Sequence, residues 1–175
     1  MPVLAPLHPS PAVSGVGTFE LSWELFGELC RALAVRVSQE YRPDLVIGLA
    51  TAGVMPAATV ATMLQTDFEA MKVTRRERGQ VVRTQPAVLS PTPVSARGRR
   101  VLIVDEITTS GDTLRLALAA VREVGPAEIR TATSFVRPGG YRPDYHALET
   151  DALIVFPWDR QVIDGDDLVT KSIYA

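Results

Sequence analysis

Two adjacent carboxylates, Asp105 and Glu106, end an apolar run from Val101 to Val104, and Thr108, Thr109, Ser110, Gly111, Asp112 and Thr113 follow closely. Paired acids of this kind suit a hard cation or vicinal hydroxyls. Hydroxyl side chains around a glycine at the start of a helix suit a phosphate. The first helical amides have no intrahelical partner and carry the positive end of the dipole, and a glycine admits a ligand oxygen close to the backbone. A ligand carrying a phosphate together with sugar hydroxyls or a bound cation would satisfy both ends of the stretch VLIVDEITTSGDT.

These side chains require a strand, a turn and a helix to hold them. Val101 to Val104 reads as a buried parallel strand, and Leu114 to Val124 as a helix stopped by Gly125 and Pro126. A second turn of similar form follows the apolar strand Leu45 to Leu49, where Ala50, Thr51, Ala52 and Gly53 lead to a helix from about Pro56 to Leu64. Its amides either bind an anion or make a tight connection. Upstream, Ser22 caps a helix with apolar positions at Leu25, Leu29, Leu33 and Val37, flanked by Phe26 and Cys30 and ended by Pro43. Phe68 to Val73 reads as a strand that enters a basic segment with Arg75, Arg76 and Arg78, which is either a solvated run or an anion clamp. Pro86 to Pro93 suits the return arm of a loop or hairpin. Ile129 to Val136 is a further strand, followed by Arg137, Pro138, Gly139, Gly140 and Tyr141, and Ala152 to Phe156 is the last strand candidate. The alternation of strands and helices predicts an α/β domain with a parallel central sheet flanked by helices. Its ligand site is expected beyond the carboxyl ends of the strands, where Thr51, Asp105 and Arg137 would gather.

Composition narrows the function classes. At 175 residues the chain fits one domain, and its net charge of −2 provides no basic field for nucleic acid. Cys30 is the only cysteine, so an intramolecular disulfide is excluded and a reducing cytoplasm is the expected compartment; its place on an apolar stripe marks it as a core thiol. With only His8 and His146 in addition, a zinc site is not expected. Residues 1–17, with four prolines and no lysine or arginine, read as a flexible arm before a domain over 18–175. That arm either stays loose or covers the active site or a partner subunit. No stretch has the length and apolarity of a membrane span.

VLIVDEITTSGDT resembles the 5-phosphoribosyl-1-pyrophosphate (PRPP) signature of the type I phosphoribosyltransferases. The resemblance implies that Asp105 and Glu106 hold the ribose 2′ and 3′ hydroxyls directly or through Mg²⁺, and that Thr108 and the run Thr109 to Thr113 surround the 5′-phosphate. Glu106 replaces the usual aspartate, and Thr108 replaces an aliphatic residue. It also implies pyrophosphate at Thr51, Ala52 and Gly53, with Arg75, Arg76 and Arg78 on a loop that closes over PRPP. ATAG at Ala50 to Gly53 is similar to the turn of orotate enzymes, whereas xanthine and guanine enzymes carry an arginine and two glycines there.

The C-terminal DALIVFPWD, with FVRPGG upstream, is instead similar to the base-binding end of xanthine and guanine phosphoribosyltransferases. Arg137 stands where that family has a lysine on the purine 6-oxo group, Leu153 where a tryptophan stacks, and Ile154 near the backbone contacts. Trp158 is read as a structural anchor. Thr109 takes the place of an aspartate that assists proton removal in 6-oxopurine enzymes, and orotate enzymes have no acid there. The resemblance implies a single-domain type I fold with a small hood from the terminal segments. The implied activity joins a nucleobase, a purine first, to ribose 5-phosphate with release of pyrophosphate. Mg²⁺ is the implied cofactor, and the partners are small molecules, with neither nucleic acid nor membrane, in a homodimer or higher homo-oligomer. The alternatives are an orotate phosphoribosyltransferase and a PRPP-sensing regulatory protein without catalysis.

Overall fold

The computed structural model describes residues 17–77 and 80–171; residues 1–16 of the expected arm, and Arg78, lie outside the described residues. Strand β1 (Thr18–Glu20) precedes helix α1 (Trp23–Glu40), strand β2 (Leu45–Ala50), helix α2 (Val54–Leu64) and strand β3 (Asp67–Thr74). Three short strands follow: β4 (Arg76–Glu77), β5 (Gln80–Val81) and β6 (Ala87–Val88). Then come β7 (Arg100–Thr108), α3 (Asp112–Val124), β8 (Glu128–Val136), β9 (Tyr145–Glu149), β10 (Leu153–Val155), β11 (Gln161–Asp164) and β12 (Asp167–Thr170).

The central sheet has the order β6-β3-β2-β7-β8-β9. All neighbours are parallel except β6, which returns antiparallel along the end of β3 and places the 86–93 segment as a return arm. The run Leu45 to Leu49 is buried throughout, as a central parallel strand covered on both faces requires. Leu102, Val104 and Ala132 pack into one layer with α1 and α2, while Leu45, Ile47, Val101 and Ile103 pack into the other with Leu114, Ala117 and Val121 of α3.

Helix α1 starts as its sequence dictates, with Ser22 Oγ accepting from the Leu25 amide at 3.1 Å. Its buried stripe is Phe26, Cys30, Leu33, Ala34 and Val37, with Leu25 exposed, so the expected series beginning at Leu25 is displaced around the helix. A spacing of four drifts about 40° per step against a 3.6-residue turn, and the core selects the face that Phe26 and Cys30 share. Cys30 is fully buried, and burial pushes its thiol up to about 12, which fits a core thiol rather than a nucleophile.

Two sequence expectations differ from the structure. Ala152 to Phe156 does not add a strand to the central sheet: β10 spans Leu153–Val155 and pairs in parallel with β1, Thr18 opposite Leu153 and Glu20 opposite Val155. The edge strand beside β8 is β9, which follows a loop with no helix, and β4, β5 and β6 stand between β3 and β7 with no α-helix, so the expected strand-helix alternation holds only from β1 to β3 and from β7 to β8. The β1/β10 pair and the β11/β12 hairpin form the hood built from terminal segments, with Arg160 paired to Glu20 at 2.6 Å at its base. Trp158 lies stacked on Phe156 at 4.8 Å and edge-on to Phe26 at 5.1 Å, an aromatic anchor that fixes the hood to α1.

Where β2 and β7 enter the sheet, Asp44 accepts from the Arg100 amide at 2.9 Å and pairs with its guanidinium at 2.8 Å. These Arg100 bonds hold the Asp44 carboxyl down at about 2. A depressed acid stabilises the fold above its ordinary value near pH 4, and that contribution is lost as pH falls through about 2. Asp44→Asn should therefore show a smaller loss of thermal stability than the parent between about pH 4 and pH 2. Parallel melting curves across that range check this; equal losses would remove Asp44 from the acid response.

Candidate active site

Strand β7 runs through Thr108, so both acids belong to the strand itself, and Asp105 lies in register with Thr133 of β8. Asp105 is buried, and its carboxylate oxygen accepts from the Glu106 amide at 2.9 Å. Burial, and then the negative Glu106 beside it, push the Asp105 carboxyl well above the usual range. An ionised carboxylate in that setting favours a cation or convergent donors.

The turn after β2 lies directly on this acid. Gly53 has ordinary helical dihedrals, φ −62 and ψ −16, so its backbone conformation does not require a glycine. Space does: a Cβ there would stand 2.6 Å from Asp105 Oδ1 and 2.6 Å from the Leu49 carbonyl oxygen. The pyrophosphate turn expected at Thr51, Ala52 and Gly53 therefore approaches Asp105, the first of the two acids expected at the sugar, with no room for a side chain between them. Thr51 is exposed, Ala52 half-buried and Gly53 buried, so the turn opens outward from the acid.

The turn after β7 is built for a different reason. Gly111 adopts φ +81, in the left-handed region that only glycine enters freely, and precedes α3. Helices α2 and α3 both begin without the side-chain cap that Ser22 gives α1. In α2 the Val54 and Met55 amides donate to the Thr51 and Ala52 carbonyls at 3.3 and 3.1 Å, whereas in α3 only the Asp112 amide is engaged, by Ser110 Oγ at 3.4 Å, before the Arg115 amide reaches the Gly111 carbonyl, so the first turn of α3 keeps donors for a ligand. Thr109 and Ser110 are exposed, Thr108 and Gly111 buried, and Asp112 and Thr113 half-buried; Ser110 Oγ donates to the Asp112 carboxylate at 2.8 Å.

Segment 137–141 is drawn onto this turn. The Arg137 amide donates to the Thr108 carbonyl at 3.1 Å, and the Tyr141 amide to the Thr109 carbonyl at 2.8 Å. Through Nη1, Arg137 donates to the carbonyls of Thr150 and Ala152, immediately before β10. The guanidinium expected at the base therefore also ties the phosphate turn to the strand carrying Leu153 and Ile154. Leu153 is 50% exposed and Ile154 is buried, so only Leu153 offers its side chain to a ligand.

No hydrogen bond or ion pair among the described residues joins Arg75 or Arg76 to the two turns. Arg75 immediately precedes the small β4/β5 hairpin and Arg76 begins β4, opposite Val81 of β5. Arg83, just after β5, pairs with Glu77 of β4. Tyr141 and Arg115 are site neighbours that sequence reasoning missed. The paired glycines before Tyr141 were the only signal, since they allow that segment to approach the turn: a Cβ on Gly140 would stand 2.5 Å from the Thr109 carbonyl oxygen.

Among the described residues no group of three or more His, Cys, Asp or Glu could hold a metal ion, and no helix is long and apolar enough to cross a membrane. Asp105 and Glu106 alone fit Mg²⁺ better than a dedicated protein cage would, because Mg²⁺ commonly keeps waters and binds one or two carboxylates together with substrate phosphates.

A parallel sheet that gathers two turns and a buried acid at the carboxyl ends of its strands defines an α/β domain with a ligand crevice at that edge. The phosphoribosyl transferase domain family matches residues 21–166, and the chain belongs to that family and is an enzyme, a phosphoribosyltransferase. It is similar to a xanthine-guanine phosphoribosyltransferase of Nitratidesulfovibrio vulgaris, 31% identical over 148 residues that cover 82% of this chain and 86% of the relative. An orotate phosphoribosyltransferase of Parvibaculum lavamentivorans is 30% identical over 116 residues, 65% of this chain and 55% of that relative. The crystal structure of a purine phosphoribosyltransferase from Pyrococcus horikoshii superposes with a TM-score of 0.72 at 29% identity, covering 86% of this chain and 99% of the other. Family membership leaves the non-catalytic sensor without support.

Proposed function

We propose that this enzyme transfers the 5-phosphoribosyl group of PRPP to a purine base with release of pyrophosphate, in purine salvage. The observation that carries the reading is the contact between Gly53 and Asp105, which sets a pyrophosphate turn against the sugar acid while a second uncapped turn waits at the end of the same strand. In this reading a base nitrogen bonds to the anomeric carbon as the bond to the diphosphate oxygen breaks, the diphosphate leaves with the electron pair, and the N–H proton that the base gives up passes to solvent. Asp105 and Glu106 orient the ribose hydroxyls and favour the positive charge that develops on the sugar. The amides and hydroxyls from Thr108 to Thr113 fix the 5′-phosphate, and Thr51 to Gly53 receive the diphosphate. Mg²⁺, held by Asp105 and Glu106 together with PRPP oxygens, would supply charge to neutralise the leaving group. Arg75, Arg76 and Arg78, on the loop expected to close over PRPP, contribute to the same end.

For the base, the purine names of the relatives and the half-exposed Leu153 on β10 support an oxopurine against Leu153, near the Ile154 backbone and Arg137. Thr109 carries no charge and cannot act as a general base, a role commonly worth about 10²–10⁴-fold in rate. Relatives are named for xanthine and guanine, and xanthine is the expected best substrate. The same Thr109 favours orotate as the second reading, since its ring reacts already ionised.

Pyrophosphate release from PRPP and Mg²⁺ with xanthine, guanine, hypoxanthine, adenine or orotate tests both readings. The purine reading expects release with xanthine foremost. Release with orotate alone would replace it.

A further inference from the structure

We propose that Tyr141 and Arg115 form a brace that holds the phosphate turn in its binding shape, which makes them positioning residues for PRPP. The inference rests on the phosphoribosyl transfer proposed above. Its starting point is the space left by Gly111, where a Cβ would stand 2.3 Å from Cγ and 2.5 Å from Cβ of Tyr141. The Tyr141 side chain packs into the place a residue-111 side chain would occupy, while its own amide holds the Thr109 carbonyl at 2.8 Å.

Arg115 closes the brace from the other side. Its guanidinium carbon lies 4.7 Å from the Tyr141 ring centroid, its Nη1 donates to the Ser110 carbonyl at 2.8 Å, and it pairs with Asp112 at 3.5 Å. Thr109, Ser110, Gly111 and Asp112 are thus each touched by one of the two side chains or by the Tyr141 backbone. The carbonyls of Thr109 and Ser110 are tied back by donors, which keeps them from turning toward an incoming phosphate. A turn containing a left-handed glycine has many alternative conformations when unsupported, and binding an anion would then bear the cost of ordering it. Loss of the brace should therefore appear in PRPP affinity, with the base site and the chemical step nearly untouched.

The test is steady-state kinetics on the full chain with each substrate varied in turn. Tyr141→Ala should raise the KM for PRPP about ten-fold, with kcat and the KM for the base each changed less than about two-fold. Tyr141→Phe keeps the ring and should match the parent. Arg115→Met removes the guanidinium from an exposed helix position and should raise the same KM about five-fold, which carries the test if Tyr141→Ala fails to fold. A parent-like KM for PRPP in the folded variants, or an equal fall in activity for both substrates, would overturn the brace. A parent enzyme that releases no pyrophosphate with any base would overturn the phosphoribosyl reading instead, so the two failures are distinguishable.

Discussion

Replacing Asp105 by asparagine should lower kcat/KM for pyrophosphate release by about two to three orders of magnitude, the scale lost when one preorganised electrostatic group is removed from a developing charge. The fold should not suffer. Burial and the neighbouring Glu106 raise the Asp105 carboxyl, so its ionised form is disfavoured in the folded chain and costs stability above the ordinary aspartate value. The asparagine variant should consequently gain melting temperature on the ligand-free parent as pH rises from about 4 toward neutrality. Kinetics and melting curves measured together separate a functional loss from a structural one. A variant that keeps more than about a tenth of the activity would remove Asp105 from the centre of the reaction.

Gly53→Ala is the second large effect expected, and it is purely steric. The residue has helical dihedrals that alanine adopts without strain, but the added methyl would lie 2.6 Å from a buried carboxylate oxygen and from the Leu49 carbonyl oxygen. Backbone on one side and the sugar acid on the other leave little room for relief, so overpacking should cost about 1–3 kcal/mol of stability. Because the strain falls between the two functional elements, pyrophosphate release should drop at least about ten-fold beyond any loss of folded protein. Gly27→Ala, within α1, is the control: nothing lies within 4 Å of its added Cβ, and alanine there should leave activity unchanged and raise the melting temperature slightly. Equal behaviour of the two variants in the assay would refute the steric account.

The strand-turn-helix units proposed to carry the chemistry were legible because their signals are local. Val101 to Val104 is apolar without interruption, and Gly111 and Gly125 mark the ends of α3. The hood was legible only in outline. Strand β1 is three residues long and finds its partner at Leu153 to Val155, a pairing that no local pattern encodes. Strand β9, YHALE, alternates weakly and follows no helix, so neither period nor connectivity announced it.

Side-chain engagement was the least legible level. Arg137 was expected at the base, yet its hydrogen bonds to Thr150 and Ala152 arise from a crossing of loops that sequence does not reveal. Tyr141 gave no sign of its role beyond the preceding glycines, because the void it fills belongs to Gly111, on another loop. Thr109 bore on the substrate through the resemblance alone, which implies a carboxylate at that position in 6-oxopurine enzymes, and no structural detail was needed to see the difference.

The most direct measurement of the central claim is a calorimetric titration of the enzyme with PRPP in the presence of Mg²⁺, repeated on Asp105→Asn. The account predicts saturable binding of one PRPP per chain for the parent and binding weakened by at least about ten-fold in the variant. Absence of binding to the parent, or the same affinity in both proteins, would contradict it.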